Sequence, residues 1–196
     1  MTLKSGRKSS WYVSWRNIAA DVYLLDQLAD FLISCVTGKN LKVDVFYGVP
    51  EGATKLGVIA TYKWVRAQPS LGPGSHALAM GRAKPKEHGA PADRFFVGEP
   101  RGKVIVVEDV TTTGGSLLET LDHLSAINAD IVAAVGLTNR GERRSDGRRV
   151  AEVIAERGVP YYAMSEAAAF LPEAVKRFKP SPEIIRDMEK EFQELK

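Results

Sequence analysis

The chain has 196 residues, which fits one domain or one domain with a small appendage. Its 44% hydrophobic and 26% charged residues exclude a disordered or fibrous class, and a net charge of +3, from 27 basic and 24 acidic residues, is too weak to argue for a nucleic-acid or membrane partner. The lone Cys35 excludes an intramolecular disulfide and a cysteine-built zinc cluster.

The N-terminus, MTLKSGRKSSW, lacks an apolar signal core, and no run approaches membrane-spanning length, so the chain reads as cytoplasmic. A helix is predicted over 21–36, where Val22, Leu25, Leu28, Ala29 and Leu32 recur at helical spacing. Cys35 lies in its apolar run and reads as a buried structural thiol. A short strand at 43–47 leads through the turn Gly48-Val49-Pro50-Glu51-Gly52 into a helix over 53–66. Residues 68–74, rich in Pro and Gly, form a loop, and 76–80 a strand. Residues 82–94 are polar and basic, a long loop of the kind that is usually functional or mobile. A strand at 104–107, a helix at 117–127 and a strand at 131–137 follow. The basic loop 139–149 runs into a helix through Ile154, and 159–163 is the last strand. Ser181-Pro182-Glu183 starts a C-terminal helix with a serine cap, proline at the first helical position and an acid in the first turn. Strands alternating with helices imply an α/β fold around a mainly parallel sheet covered on both faces, with ligands beyond the strands' carboxyl ends. The Gly48 turn, the acids after Val107 and the Asn139 loop all fall at such ends and are expected to share one cleft.

Residues 104–116, VIVVEDVTTTGGS, are the most informative. Four β-branched residues read as a buried strand, and Glu108 and Asp109 follow. Val110, Thr111, Thr112, Thr113, Gly114, Gly115 and Ser116 then turn into a helix start. Such a start offers N–H groups and a positive dipole end to a phosphate. Glycines allow close approach, hydroxyls add donors, and the acids accept from ribose hydroxyls. An ordinary strand-to-helix turn is the bland alternative. Elsewhere, His76 and His123 have no metal-ligand spacing, Val58 stands where a P-loop requires lysine, and no dinucleotide fingerprint follows a strand.

This segment resembles the 5-phosphoribosyl 1-diphosphate (PRPP) motif of the type I phosphoribosyltransferases. Three further segments resemble the orotate phosphoribosyltransferases among them. Arg82, Lys86, His88 and Gly89 match that family's mobile catalytic loop, although Ala83 stands where a second lysine is common. The stretch from Leu3 to Tyr12 is similar to its L-K-S-G-R-x-S-P-x-Y segment, with Ser10 replacing proline. Asn139-Arg140 takes the place of its Asp-Arg pair. The turn at Gly48 to Gly52 departs from it, carrying Glu51 where many members have Tyr-Lys.

The resemblance implies a type I phosphoribosyltransferase fold with a five-stranded central sheet and a reduced N-terminal hood. Residues 1–20 would form the hood and pyrimidine side, 21–165 the core and 166–196 a C-terminal helical segment, all one domain. It implies transfer of phosphoribosyl from PRPP to orotate in pyrimidine synthesis, in a homodimer with shared active sites. Lys86, Asp109, Arg82 and His88 would be catalytic. PRPP would be held by Lys4, Arg82, Lys86, His88 and residues Glu108 to Ser116. Orotate would meet Tyr12, Val13, Thr112 and Arg140, whose guanidinium suits its carboxylate. Mg²⁺ would be held mainly through PRPP. The alternatives are a phosphoribosyltransferase for another base and a non-catalytic PRPP-sensing regulator. The intact Arg82 loop and the absence of room for a helix-turn-helix argue against the regulator. An RNA-contacting arginine patch at 140–149 is interrupted by Glu142 and Asp146 and lacks aromatic residues.

Overall fold

The computed structural model describes residues 9–195. Its first long helix, α1 (Val22–Gly38), is capped by Asp21, whose carboxylate accepts from Leu24 N at 2.9 Å. Leu25, Leu28, Ala29, Leu32 and Val36 form its buried stripe, while Cys35 is only half-buried. Strand β1 (Val45–Gly48) and helix α2 (Thr54–Arg66) follow. Two-residue strands β2 (Met80–Gly81) and β3 (Phe96–Val97) pair antiparallel and flank a short helix, α3 (Pro91–Phe95). The C-terminal half runs β4 (Lys103–Thr111), α4 (Gly115–Ser125), β5 (Asp130–Asn139), α5 (Val150–Ala155), β6 (Tyr161–Glu166), α6 (Ala167–Phe178) and α7 (Pro182–Leu195).

The central sheet has the order β1-β4-β5-β6 and every pairing in it is parallel. β4 lies inside it, which explains why Val104 to Val107 are all apolar: both faces are covered. Alternation then sorts the side chains. Ile105 and Val107 join Phe46, Val135 and Leu137 under α1 and α2, whereas Val104 and Val106 join Val45, Tyr47 and Ala134 under α4 and α5. A third cluster of Trp11, Ala167, Leu171 and Met188 ties the N-terminal segment to α6 and α7. Among the described residues no helix is long and apolar enough to cross a membrane.

Two expectations are corrected. Among the described residues the central sheet has four strands, where five were expected. The strand expected at 76–80 shrinks to Met80–Gly81 and leaves the sheet. Gly81 is pressed against Pro50 and Tyr47, where a Cβ would have no room, so this backbone crosses over the turn after β1. It pairs with Phe96–Val97 instead and closes the base of the basic loop. That loop also contains helix α3, because residues 91–95 satisfy part of their backbone locally.

Candidate active site

Parallel pairing puts the C-terminal ends of β1, β4 and β5 on one edge of the sheet. Glu108 is buried there and Asp109 is half-buried. Asp109 Oδ1 accepts from Val110 N at 2.9 Å. Its other face lies against Gly52, so closely that a Cβ on residue 52 would overlap the carboxylate. The turn after β1 therefore wraps the acid, and glycine at 52 is what permits it. Glu51 beside it is exposed.

After Asp109 the strand runs on through Val110 and Thr111, beyond the strand end expected at Val107, and then turns through Thr112 to Gly114 into α4. Val110, Thr112 and Thr113 are half-buried, and Gly115 is exposed. Gly114 has φ +76°, a left-handed backbone, and its Cα faces Val150 at contact distance. With α4 opening at Gly115, the first-turn N–H groups of an eleven-residue helix face this loop. Ser116 is half-buried within that turn. Thr111 differs from its neighbours: it is 1% exposed, and its hydroxyl points inward to Gly136 and Tyr161 Oη, not to the loop's concave side. Neither hydroxyl makes a well-formed hydrogen bond. Burial pushes the Tyr161 phenol up to about 12, with Thr111 pulling weakly the other way. Arg144 Nη1 donates to Thr113 O at 2.7 Å and braces the loop from the β5 side.

The basic loop hangs from the β2–β3 pair. Arg82 is half-buried; its N donates to Phe95 O at 2.8 Å and its Nε to Asp93 O at 3.2 Å. Lys86 N donates to Arg94 O at 3.0 Å, while the Lys84, Lys86, His88 and Gly89 positions are exposed. Thus the loop's backbone is anchored, and Lys84 and Lys86 stand in solvent while Arg82 and Arg94 are half-buried. Lys4 lies outside the described residues.

Arg140 is the least expected part of the site. It is 3% exposed. Its Nε donates to Glu142 Oε1 at 2.7 Å, and its Nη2 to Glu191 Oε1 at 3.2 Å and Ser9 Oγ at 3.0 Å. Nη1 donates to Trp11 O at 3.3 Å, and the Trp11 ring centre stacks 3.6 Å from the guanidinium. Tyr12 is exposed and Val13 packs on the Trp11 cluster. Trp15 Nε1 donates to Thr138 Oγ1 at 3.1 Å, which lays the N-terminal segment over the end of β5. Sequence reading missed Trp11, Glu142 and Glu191 as partners of Arg140. Glu142, two residues beyond it, was visible as a neighbour; Glu191, 51 residues away, had no local signal. Of the remaining loop arginines, Arg148 pairs with Asp146 and Glu156 at 2.8 Å each.

Comparison with known proteins bears directly on this arrangement. Residues 97–161 match the phosphoribosyl transferase domain, the segment that runs from β3 through the acid pair and loop to β6. The chain is 32% identical over 178 residues to the orotate phosphoribosyltransferase of Bradyrhizobium diazoefficiens, covering 87% of each chain. It belongs to the orotate phosphoribosyltransferase family. Among solved structures, the orotate phosphoribosyltransferase of Francisella tularensis superposes with a TM-score of 0.67 at 23% identity, over 98% of this chain and 90% of that one. The Aeropyrum pernix orotate phosphoribosyltransferase gives 0.66 at 25% identity, over 89% of each. In this chain Glu108, Asp109 and the Thr111 to Ser116 segment lie on the sheet edge where α/β folds bind ligands.

Proposed function

We propose that this chain transfers the 5-phosphoribosyl group of PRPP to orotate, giving orotidine 5′-monophosphate and diphosphate. One observation carries the reading: the acids Glu108 and Asp109 and the Thr111 to Ser116 loop form a single continuous edge at the mouth of a parallel sheet, in a member of this family.

In the reaction the bond from the anomeric carbon to diphosphate breaks, the diphosphate leaves with the electron pair, and a nitrogen of orotate forms the new bond. Positive charge builds on the ribose and negative charge on the leaving group. The α4 N-terminus and the N–H groups of the loop hold the 5′-phosphate, an anchor remote from the breaking bond. Glu108 and Asp109 accept from the ribose hydroxyls and fix the ring. Lys86, Arg82 and His88 close over the diphosphate and stabilise it as it departs, excluding water that would hydrolyse the activated sugar. The exposed setting of Lys86 and His88 supports action after closure; in the homodimer that the family resemblance implies, they would reach the neighbouring subunit's site. Thr112 and Tyr12 border the flat pyrimidine, and Arg140 meets its carboxylate.

Asp109 at the mouth, cradled by Gly52, fits a divalent cation that travels with PRPP. Mg²⁺, held mainly through PRPP, would help neutralise the leaving group's charge.

An absorbance assay of orotate consumption with PRPP and Mg²⁺ tests the activity. Orotate should be consumed and uracil, which lacks the carboxylate, should be turned over at least ~100-fold less efficiently. Equal use of both bases, or no consumption of orotate, contradicts the reading.

A further inference from the structure

We propose that Glu191 is a resident carboxylate on Arg140 that the carboxylate of the incoming base displaces, so that helix α7 opens and shuts the acceptor site. This rests on the reading that Arg140 binds orotate.

Four donations from Arg140 are already made: Nε to Glu142, Nη1 to Trp11 O, and Nη2 to both Ser9 and Glu191. Nη2 thus gives one hydrogen to each of two partners. A carboxylate gripping the end of the guanidinium needs an N–H from each terminal nitrogen. Nη2 can supply one only if Ser9 or Glu191 lets go. Replacement of one carboxylate by another keeps the buried charge paired throughout, whereas loss of Ser9 for a carboxylate would crowd two anions on one nitrogen.

Of the two acids, Glu191 is the one built to leave. Glu142 lies 2.7 Å from Nε, two residues along the same loop, with a side chain 2% exposed. Glu191 lies at 3.2 Å with a side chain 7% exposed, and it comes from a separate helix. Its second oxygen accepts from Ser10 N at 3.2 Å and Ser10 Oγ at 3.1 Å. Release of this one side chain therefore loosens both α7 and the N-terminal strand of chain that crosses Arg140. Among the described residues, α7 has few other buried side chains. Among its described side chains only Met188 and Glu191 are buried, with Phe192 stacked on Trp11 at 5.9 Å. A helix with so few buried contacts opens at low cost compared with the core.

The opposite role, a fixed strut that neutralises Arg140, predicts the opposite signs. Two measurements on the full chain separate them. In Glu191→Gln the shape is kept and the competing charge removed, so the KM for orotate should fall about three- to tenfold, the span of one charge-assisted contact partly replaced by an amide. The KM for PRPP should not fall with it. In the wild-type protein, saturating orotate should speed amide hydrogen exchange across residues 182–195, and uracil should leave it unchanged. If Glu191→Gln does not accumulate as folded protein, the wild-type exchange result alone decides. Orotate turnover with a raised KM in Glu191→Gln, or with unchanged or slower α7 exchange in the wild type, overturns the gate and leaves the activity standing. Failure of the wild-type protein to bind or consume orotate overturns both.

Discussion

Single side chains here divide into those proposed to meet substrate and those that hold the frame. Lys86 is exposed on an anchored backbone, the setting of a group that acts when the loop closes. Lys86→Ala should lower kcat by roughly two orders of magnitude or more, as for loss of one electrostatic stabiliser. PRPP binding should weaken less, because the loop proposed to hold the 5′-phosphate is untouched; steady-state kinetics with a normal kcat and only a raised KM would contradict the assignment. Thr111 and Tyr161 belong to the frame. Burial raises the Tyr161 pKa from 10.0 to about 12. A raised folded-state value means that the unfolded chain loses its proton first as pH climbs. The stability contributed is complete below about pH 10 and is lost between there and about pH 12. Tyr47, also raised by burial, adds to the same loss. Thermal melts of Tyr161→Phe should decline less steeply over this interval than those of the wild type. Near neutral pH the two should differ by no more than ~1 kcal/mol, since the hydroxyl removed has no good partner. Equal alkaline slopes would show that Tyr161 ionises alike in both states.

Secondary-structure elements matter through their ends. β4 is ordinary until Asp109; the chain then needs a left-handed residue to enter α4, and Gly114 supplies it. Gly114→Ala meets two obstacles, a backbone disfavoured by ~1 kcal/mol or more and a collision with Val150. Its KM for PRPP should rise at least tenfold, with a lower melting temperature. Trimming Val150 to alanine in the same chain should recover only part of the KM effect, because the left-handed strain stays. An unchanged KM for PRPP would mean that this loop does not hold the phosphate. The β2–β3 pair is the other informative element. It is too short to be a sheet of its own, and its role is to fix the two ends of the basic loop beside the Gly48 to Gly52 turn.

At the scale of the whole molecule, the exposed loop cations and the acid pair pose a question of which chain completes which site. In the shared-site arrangement, an inactive Lys86→Ala subunit mixed with an inactive Asp109→Ala subunit regains activity. Half the subunits pair as heterodimers after random exchange, and each heterodimer has one good site of two, so about a quarter of wild-type activity is expected for a two-fold dimer. Orotate consumption after verified exchange is the readout. No recovery would show that the loop serves its own chain, or that the chain does not assemble in this way.

The local features were legible in the sequence because contiguous residues carry them. An unbroken β-branched run marked the first half of β4, helical spacing marked α1, and the run from Glu108 to Ser116 marked the acid pair and turn without any need of a partner. What depended on distant residues was not legible. Residues 76–80 have strand-like composition, yet only Met80–Gly81 form a strand, paired with β3 outside the central sheet, where Gly81 lies against Pro50 and Tyr47. Thr111 reads as a loop hydroxyl, yet it is the last residue of β4 and its hydroxyl lies beside Gly136 and the Tyr161 hydroxyl. Arg140 reads as an open carboxylate site. Its position after β5 follows from the chain's own pattern, but its partners Ser9 and Glu191 lie 131 and 51 residues away. A guanidinium's preference for carboxylates is intrinsic to the side chain. Which carboxylate reaches it, the chain's own or the substrate's, is decided only when packing brings α7 and the N-terminal segment over the end of the sheet.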